Sequence, residues 1–599
     1  MSGYALHEQS GINRTGASSE ACRVGSSSNS VGRWVTRVTT LAFGRRPAQT
    51  GFAAEPEPRS IGSAERGQHL VDGVILFGGY HAAAGEMALW DIPPPHPDFL
   101  AEAHGFGWLD DLAALGSPAA QRRARGWTQD WIDRYGLATS GPGQEADLTG
   151  RRILRCIHHA GFLDLGRNGA AGSKAFRALH RQAQMLARRW KTAPPGLARF
   201  EALAGLLYAG IYLPGRRSLI GKALSGIATE CRTVIDAEGA IASRNPEELM
   251  EIFALLGWSQ EALGQTDRPV PADLAAAMVR VAPVLRSLRH ADGGLARFQD
   301  GDRGEEGRLD QVLAVLRARR SPLPPLPMGY ARLAARRTTV IVDAASPPSG
   351  RAAITAHAST AAIEVTSGRR PLIVSCGSGK PFGPKWHQAS RASASHSVLS
   401  LDGASSSRFR KGKAGLTELT GPARITEIRH AINPRVTELH VTHDGWLLTH
   451  GLVVGRRLAL SHDGRHLAGT DALVSDGPVA RKRFDEFLTR FLLSGIAFTI
   501  RFHLHPDVDV AMEGAANQVI LTLKSGEVWI LAASSTAKLT IEPSVYLEKG
   551  RLGHRSSMQV VLAAEARSFD TRIDWTLAKA QDTPLAIRDV DGDDPPPRR

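Results

Sequence analysis

The hydrophobic pattern of this chain changes period once. Between residues 97 and 320 apolar positions recur at helical spacing, and beyond Met328 they alternate every second residue. In the first stretch Phe99, Trp108, Leu109 and Leu112 lead into a segment where Trp127 and Trp131, four apart, share one helix face. Runs at 174–190, 200–213, 247–263, 272–288 and 309–319 continue the series, and Pro214-Gly215 stops the second of them. Gly and Pro mark the loops, so the pattern predicts antiparallel helices packed pairwise.

Alternating runs at 338–343, 361–365, 372–375, 398–401, 437–442, 445–449, 457–461, 497–504, 518–523, 528–532, 558–563 and 572–577 predict strands. Turn signals such as His462-Asp463-Gly464 and Lys524-Ser525-Gly526 separate them. Many short strands with regular turns predict an antiparallel β-sandwich. The plan expected is a disordered segment at 1–65, a helical domain at 66–320, a proline-rich hinge at 321–329, a β domain at 330–585 and a frayed tail at 586–599. The fold class is therefore multidomain α+β.

Composition narrows the class. At 599 residues the chain is too long for one core. Hydrophobic residues make up 42% and charged residues 22%, as in soluble globular proteins. No run of about 18 apolar residues occurs, so no membrane-spanning helix is expected. Residues 1–30 are polar and lack the apolar core of a secretory signal peptide. Cys22, Cys156, Cys231 and Cys376 lie far apart, which argues against a disulfide framework or a zinc knuckle and for free thiols in a reducing compartment. The net charge of +14 suits a polyanion: nucleic acid, anionic lipid or acidic polysaccharide. An Arg/Ala-rich coding bias explains the same excess. No helix-turn-helix and no aromatic RNA-binding strand pair accompanies it, so nucleic-acid binding rests on charge alone and is not expected.

Candidate chemistry gathers between residues 356 and 409. His357 and His396 sit at the ends of short strand-like runs, beside Ser, Ala and Gly. The order of His357-Ala358, Leu372-Ile-Val-Ser-Cys-Gly377, the 391–403 segment with His396, Thr442-His-Asp-Gly-Trp446, Arg456-Arg457-Leu458 and Arg501-Phe-His-Leu-His-Pro506 resembles the heparinase II/III family of polysaccharide lyases. In the helical half, Ser243-Arg244-Asn245-Pro246 and Asp292-Gly-Gly-Leu-Ala-Arg-Phe298 look like the corresponding bacterial subgroup. The resemblance covers most of residues 100–580. It implies a helical α/α toroid before a β-sandwich, an active cleft between them, and β-elimination at a uronic acid of an acidic polysaccharide.

That chemistry needs a group to neutralise the sugar carboxylate, a base for the α-proton and an acid for the leaving oxygen. The resemblance offers Asn245 as neutraliser and His357, His396 and Tyr330 as base or acid. Each has a plainer reading: an N-cap for Asn245, satisfied core histidines, a packing aromatic for Tyr330. Tyr208 reads as core. Arg244, His290, Arg297, Trp386, Arg408 and Arg410 are the expected substrate-binding residues. Lys411 and Lys413 extend the basic cluster, whose plain reading is an exposed loop. The chain departs from the family at Ser359 and at Ser375-Cys376, where an Asp often stands, so zinc at His357 and His396 would lack its carboxylate. Two readings stay open: an active lyase, or a carbohydrate-binding or envelope-associated protein of the same fold without the chemistry. A glycoside hydrolase would need two facing carboxylates, and no such pair stands out. The resemblance implies the cell envelope or periplasm, whereas the N-terminus implies the cytoplasm. Substrate, metal content and oligomeric state are not readable.

Overall fold

The computed structural model describes residues 51–83, 87–165, 170–315, 325–412, 417–490, 494–513 and 517–582. The expectations for 1–50, for 321–324 of the hinge, for Lys413 and for the tail beyond 582 lie outside these residues.

The period change is where the architecture changes. Up to residue 315 the chain is mainly helical; from Tyr330 onward it is mainly antiparallel sheet. Helices start as the local chemistry dictates. Ser117 accepts a hydrogen bond from Ala120 N (3.1 Å), ahead of Pro118, at the head of Pro118–Tyr135. Trp127 and Trp131 of that helix are both buried, and Trp127 meets Trp108 edge-on at 5.3 Å. The helix Leu197–Tyr212 is apolar all round and sits at the centre of the helical half. It crosses Ala146–His158, a helix the pattern did not single out, at Gly150 and Gly205. A Cβ at either glycine would collide with the other helix's backbone.

Residues 51–63 correct the expectation of disorder up to residue 65. They lack regular structure, yet they are strapped to the helical half. Phe52 packs on Phe176 at 4.8 Å, Arg59 pairs with Glu261, and Ser60 Oγ donates to Asp110 Oδ1 at 2.7 Å. Sequence composition reads such a strap as coil because its partners are all distant in the chain.

Two eight-stranded antiparallel sheets form the second half. The first runs, edge to edge, through Lys538–Tyr546, Arg555–Ala566, Ile496–Leu504, Arg370–Val374, Ile363–Ser367, Thr338–Asp343 and Tyr330–Ala335, with Leu399–Leu401 also paired to Ile496–Leu504. The second runs through Ile425–Ile432, Val436–Trp446, Leu452–Ser461, His466–Val474, Asp570–Gln581, Val528–Ala533, Gln518–Leu523 and Val508–Met512. Every side chain of Thr338–Asp343 is buried. Arg332, on the neighbouring strand, reaches the helical half through Ser287 O (2.9 Å) and Arg289 O (2.8 Å). Phe502 of the first sheet meets Trp575 of the second at 4.8 Å.

The structure departs from the expectations for this half: seven strands, Ile425–Ile432, His466–Val474 and Lys538–Tyr546 among them, form where none was expected, and two further points differ. Residues 437–449 were read as two strands, but Val436–Trp446 is one strand and Leu447–His450 is a helical turn. The register shifts between His443 and Trp446, so the chain kinks without leaving the sheet. The helix Pro478–Arg490 went unseen because only Ala480, Phe484 and Leu488, one residue per turn, face inward. Among the described residues no helix is long and apolar enough to cross a membrane.

Candidate functional site

The junction of the two halves holds the candidate residues. Asn245 ends a tight loop and caps Pro246–Gln265: its Oδ1 accepts from Glu248 N at 3.1 Å. The residue before it, Arg244, adopts a left-handed backbone (φ 54) that turns its side chain across the junction. There it donates to Met328 O (3.0 Å), Ser346 O (2.9 Å) and Gly329 O (3.1 Å) and pairs with the fully buried Asp343. Its guanidinium also stacks over the Tyr330 ring at 4.7 Å. Tyr330 is fully buried, lies on Phe298, and donates its hydroxyl to Arg244 O at 2.6 Å. Burial raises its pKa well above the ordinary phenol value. Arg244, Asn245 and Tyr330 thus converge, but their polar atoms are spent on joining the halves. An Asn245→Ala variant is expected to lose about 1 kcal/mol of stability, as removal of an N-cap does, read from the urea midpoint. A loss near zero would show that the amide is not held as a cap.

His357 and His396 do come together. His357 Nδ1 lies 3.2 Å from His396 Nε2, and His396 Nδ1 lies 3.0 Å from Ser375 Oγ. Neither residue is more than 1% exposed. Burial lowers both pKa values, that of His396 strongly, and for His357 it outweighs the opposing pull of Asp300. The His357 backbone N–H donates to Gln299 Oε1 at 2.8 Å, which ties the β-half histidine to a helical-half loop.

That loop supplies what the sequence reading did not find. Gln299 and Asp300 both have positive φ (51 and 67), which folds the loop back onto the β half. Gln299 Nε2 donates to Asp343 Oδ2 at 2.9 Å and to Ser359 Oγ at 3.0 Å, and Ser359 Oγ donates to Asp343 at 2.6 Å. Asp300 places one carboxylate oxygen 3.8 Å from His357 Nε2 and the other 3.5 Å from His387 Nε2, and it accepts from Ser378. Burial alone would raise its pKa, but the two imidazoles outweigh that and hold it far below the usual carboxylate range. The local signals were Phe298-Gln-Asp-Gly301 and Trp386-His387. Nothing in the sequence indicates that they meet.

The remaining candidates are spread out. His290 Nε2 lies 3.0 Å from Glu364 Oε2. Arg297 donates through Nε to Asp302 (3.0 Å) and through Nη2 to Leu547 O, with its guanidinium 4.1 Å over Tyr546. Gly377 (φ 97) is required beside it, since a Cβ there would strike the Arg297 guanidinium and Leu547 O. His290, Arg297, Glu364 and Tyr546 line a small cavity of about 20 Å³. Trp386 is partly exposed and packs at 5.0 Å on His554. Arg408 and Arg410 are exposed on the hairpin strand Arg408–Lys411, and Phe409 between them lies under the Arg391 guanidinium at 5.0 Å.

The zinc suggested by the resemblance can be tested on the donors. His357 and His396 turn nitrogens toward each other, and the third corner is the hydroxyl of Ser375 rather than a carboxylate. Among the described residues no group of three His, Cys, Asp or Glu side chains is arranged to hold a metal ion. The residues do not fit a zinc site.

Comparison with known proteins agrees with the two-part architecture. Residues 319–576 match the family described as "Heparinase II/III-like, C-terminal". The chain is 30% identical over 548 residues to the FtsZ-localized protein C of Caulobacter vibrioides (strain NA1000 / CB15N), covering 89% of this chain and 91% of that one. It is similar in structure to heparinase III, with a TM-score of 0.64 and 11% identity over 91% of this chain and 89% of that one. Its likeness to the heparan sulfate lyase HepC of Pedobacter heparinus has a TM-score of 0.52 and 14% identity, over 92% and 88%. The chain belongs to the heparinase II/III-like family.

Proposed function

We propose that this chain is a heparinase II/III-like protein that acts with FtsZ in cell division and has turned its lyase residues to structural use. The fold is read as the family's α/α toroid over 66–320 followed by a β-sandwich over 330–585. The observation that carries the loss of chemistry is the buried His357–His396 pair, whose ring nitrogens face each other, Ser375 and Asp300 instead of solvent. A base for β-elimination must reach the α-proton of a bound sugar. Asn245 and Tyr330 are equally committed, to a helix cap and to Arg244 O. The division role is supported by the FtsZ-localized relative, which matches along nearly its whole length.

The second reading is a polysaccharide lyase acting on a uronate-containing glycan. The cluster of His357, Asp300 and His387 favours it, because it spans the two halves and would open to substrate if they parted. Two assays on the purified chain separate the readings. Cosedimentation with FtsZ assembled in GTP is expected to bring the protein into the pellet. Incubation with heparan-type glycans, alginate and other uronates is expected to give no absorbance from an unsaturated product. An absorbance that disappears in both His357→Ala and His396→Ala would overturn the proposal in favour of the lyase.

A further inference from the structure

Among the described residues, the second sheet ends on a strand that is paired on one side only. Ile425–Ile432 pairs with Val436–Trp446 on one side only, so alternate backbone N–H and C=O groups along its other side point away from the sheet. A register shift lies between Ile425 and Glu427, but 427–432 pair without interruption. The strand turns outward at its far end, where Arg429, His430, Ala431 and Ile432 are exposed and Ile432 reaches 73%. Its only acidic side chain, Glu427, pairs with Arg429.

Five cations without an ion pair among the described residues flank this edge, with Glu418 across the hairpin from Arg410 and Asp444 Oδ1 accepting from Arg424 N at 2.7 Å. The hairpin strand Arg408–Lys411 presents Arg408, Arg410 and Lys411 to solvent. Its base adjoins the start of the edge strand: Arg408 pairs with Gly421, and Ala423 N donates to Ser407 Oγ at 3.0 Å. Arg424 is exposed just before the edge strand and Arg435 just after it. None of these five cations has an ion pair among the described residues.

We infer that this edge docks an extended, acidic polypeptide segment of a partner protein, which adds a strand to the second sheet. The backbone of the edge supplies the ladder, and the five cations supply charge complementarity. An acidic glycan would satisfy the cations but does not repeat N–H and C=O groups at the spacing of a strand, so a peptide is the occupant that both observations favour. The inference stands apart from the FtsZ reading, since it names the chemistry of the segment and not its owner.

Fluorescence anisotropy on the full chain tests it with three labelled probes: an alternating Glu-Val peptide of eight residues, to match the edge strand, its Lys-Val counterpart, and a Glu-Pro peptide of equal charge. The Glu-Val probe is expected to bind, and both others about tenfold more weakly or not at all. Joint reversal of Arg408, Arg410 and Lys411 to Glu is expected to weaken the Glu-Val probe about tenfold with the circular dichroism unchanged. Arg424→Glu with Arg435→Glu provides the same test at the ends of the edge strand, without altering the hairpin. Equal binding of the Glu-Pro and Glu-Val probes would overturn the inference, because charge alone would then suffice. Binding of heparin without binding of the Glu-Val probe would overturn it as well and assign the cations to a glycan. So would a dimer in light scattering that both charge variants leave intact and that excludes the probe.

Discussion

Arg456→Ala is expected to lower the stability of this protein by about 3–5 kcal/mol, the usual cost of orphaning one member of a buried ion pair. Arg456 and Asp471 are each 1% exposed and meet through two bonds, 2.7 Å from Nε and 3.0 Å from Nη2. Trp575 Nε1 donates to the same carboxylate at 2.9 Å. The third guanidinium nitrogen leaves this sheet altogether: Nη1 donates to Ala361 O at 3.0 Å and Ser397 O at 2.8 Å. Ser397 follows His396, and Ala361 lies in the loop after His357. One side chain in the second sheet therefore anchors both histidine-bearing segments of the first. Its removal leaves a buried aspartate without its counter-charge and takes a donor from two carbonyls, of which Ser397 O keeps the Ile363 N–H at 3.2 Å. The check is a denaturant titration followed by tryptophan fluorescence. A loss below about 1 kcal/mol would show that the bridge is not what holds the segments. The double change Arg456→Met with Asp471→Leu is expected to recover part of the loss, because no buried charge is then left alone.

Acid is expected to destabilise the fold well above the range where carboxylates titrate. Burial depresses the His443 pKa from 6.5 to about 4, helped by the charge of Arg456. Burial also depresses the His503 pKa from 6.5 to about 4, against the bond that its Nε2 makes to Ala394 O. The unfolded chain takes up these protons near the ordinary value, and the native state takes them up only near 4. The depressed pKa values thus contribute stability that is complete above pH 6.5 and is lost as pH falls from there toward 4. Each site is worth up to about 3 kcal/mol at the acid end of that window, at about 1.4 kcal/mol per pKa unit. Burial shifts His357 and His396 in the same direction, so acid should loosen the junction too. Tm measured by circular dichroism across this range should fall steadily with pH. A flat profile would mean that the histidines are hydrated in solution.

The expected costs show how strongly the junction depends on buried polar groups. Arg244, Asp343, Gln299 and Arg456 make hydrogen bonds between segments that are far apart in the chain.

The sequence by itself determined the division into a helical and a β half, because hydrophobic period is a local property that survives without knowledge of contacts. It determined the cap at Asn245, since Asn before Pro and two acidic residues is a helix start wherever it occurs. It also singled out His357 and His396 as candidates, through their order among small residues. Only the tertiary structure decided which groups they meet. His357 lies 57 positions from Asp300 and 30 from His387, and no periodicity links a left-handed turn in one half to a short helix in the other. The strap at 51–63 and the lone-faced helix Pro478–Arg490 were hidden for the same reason. Their stability comes from partners distant in the chain, and a local pattern records only which residues seek burial, not which of them meet.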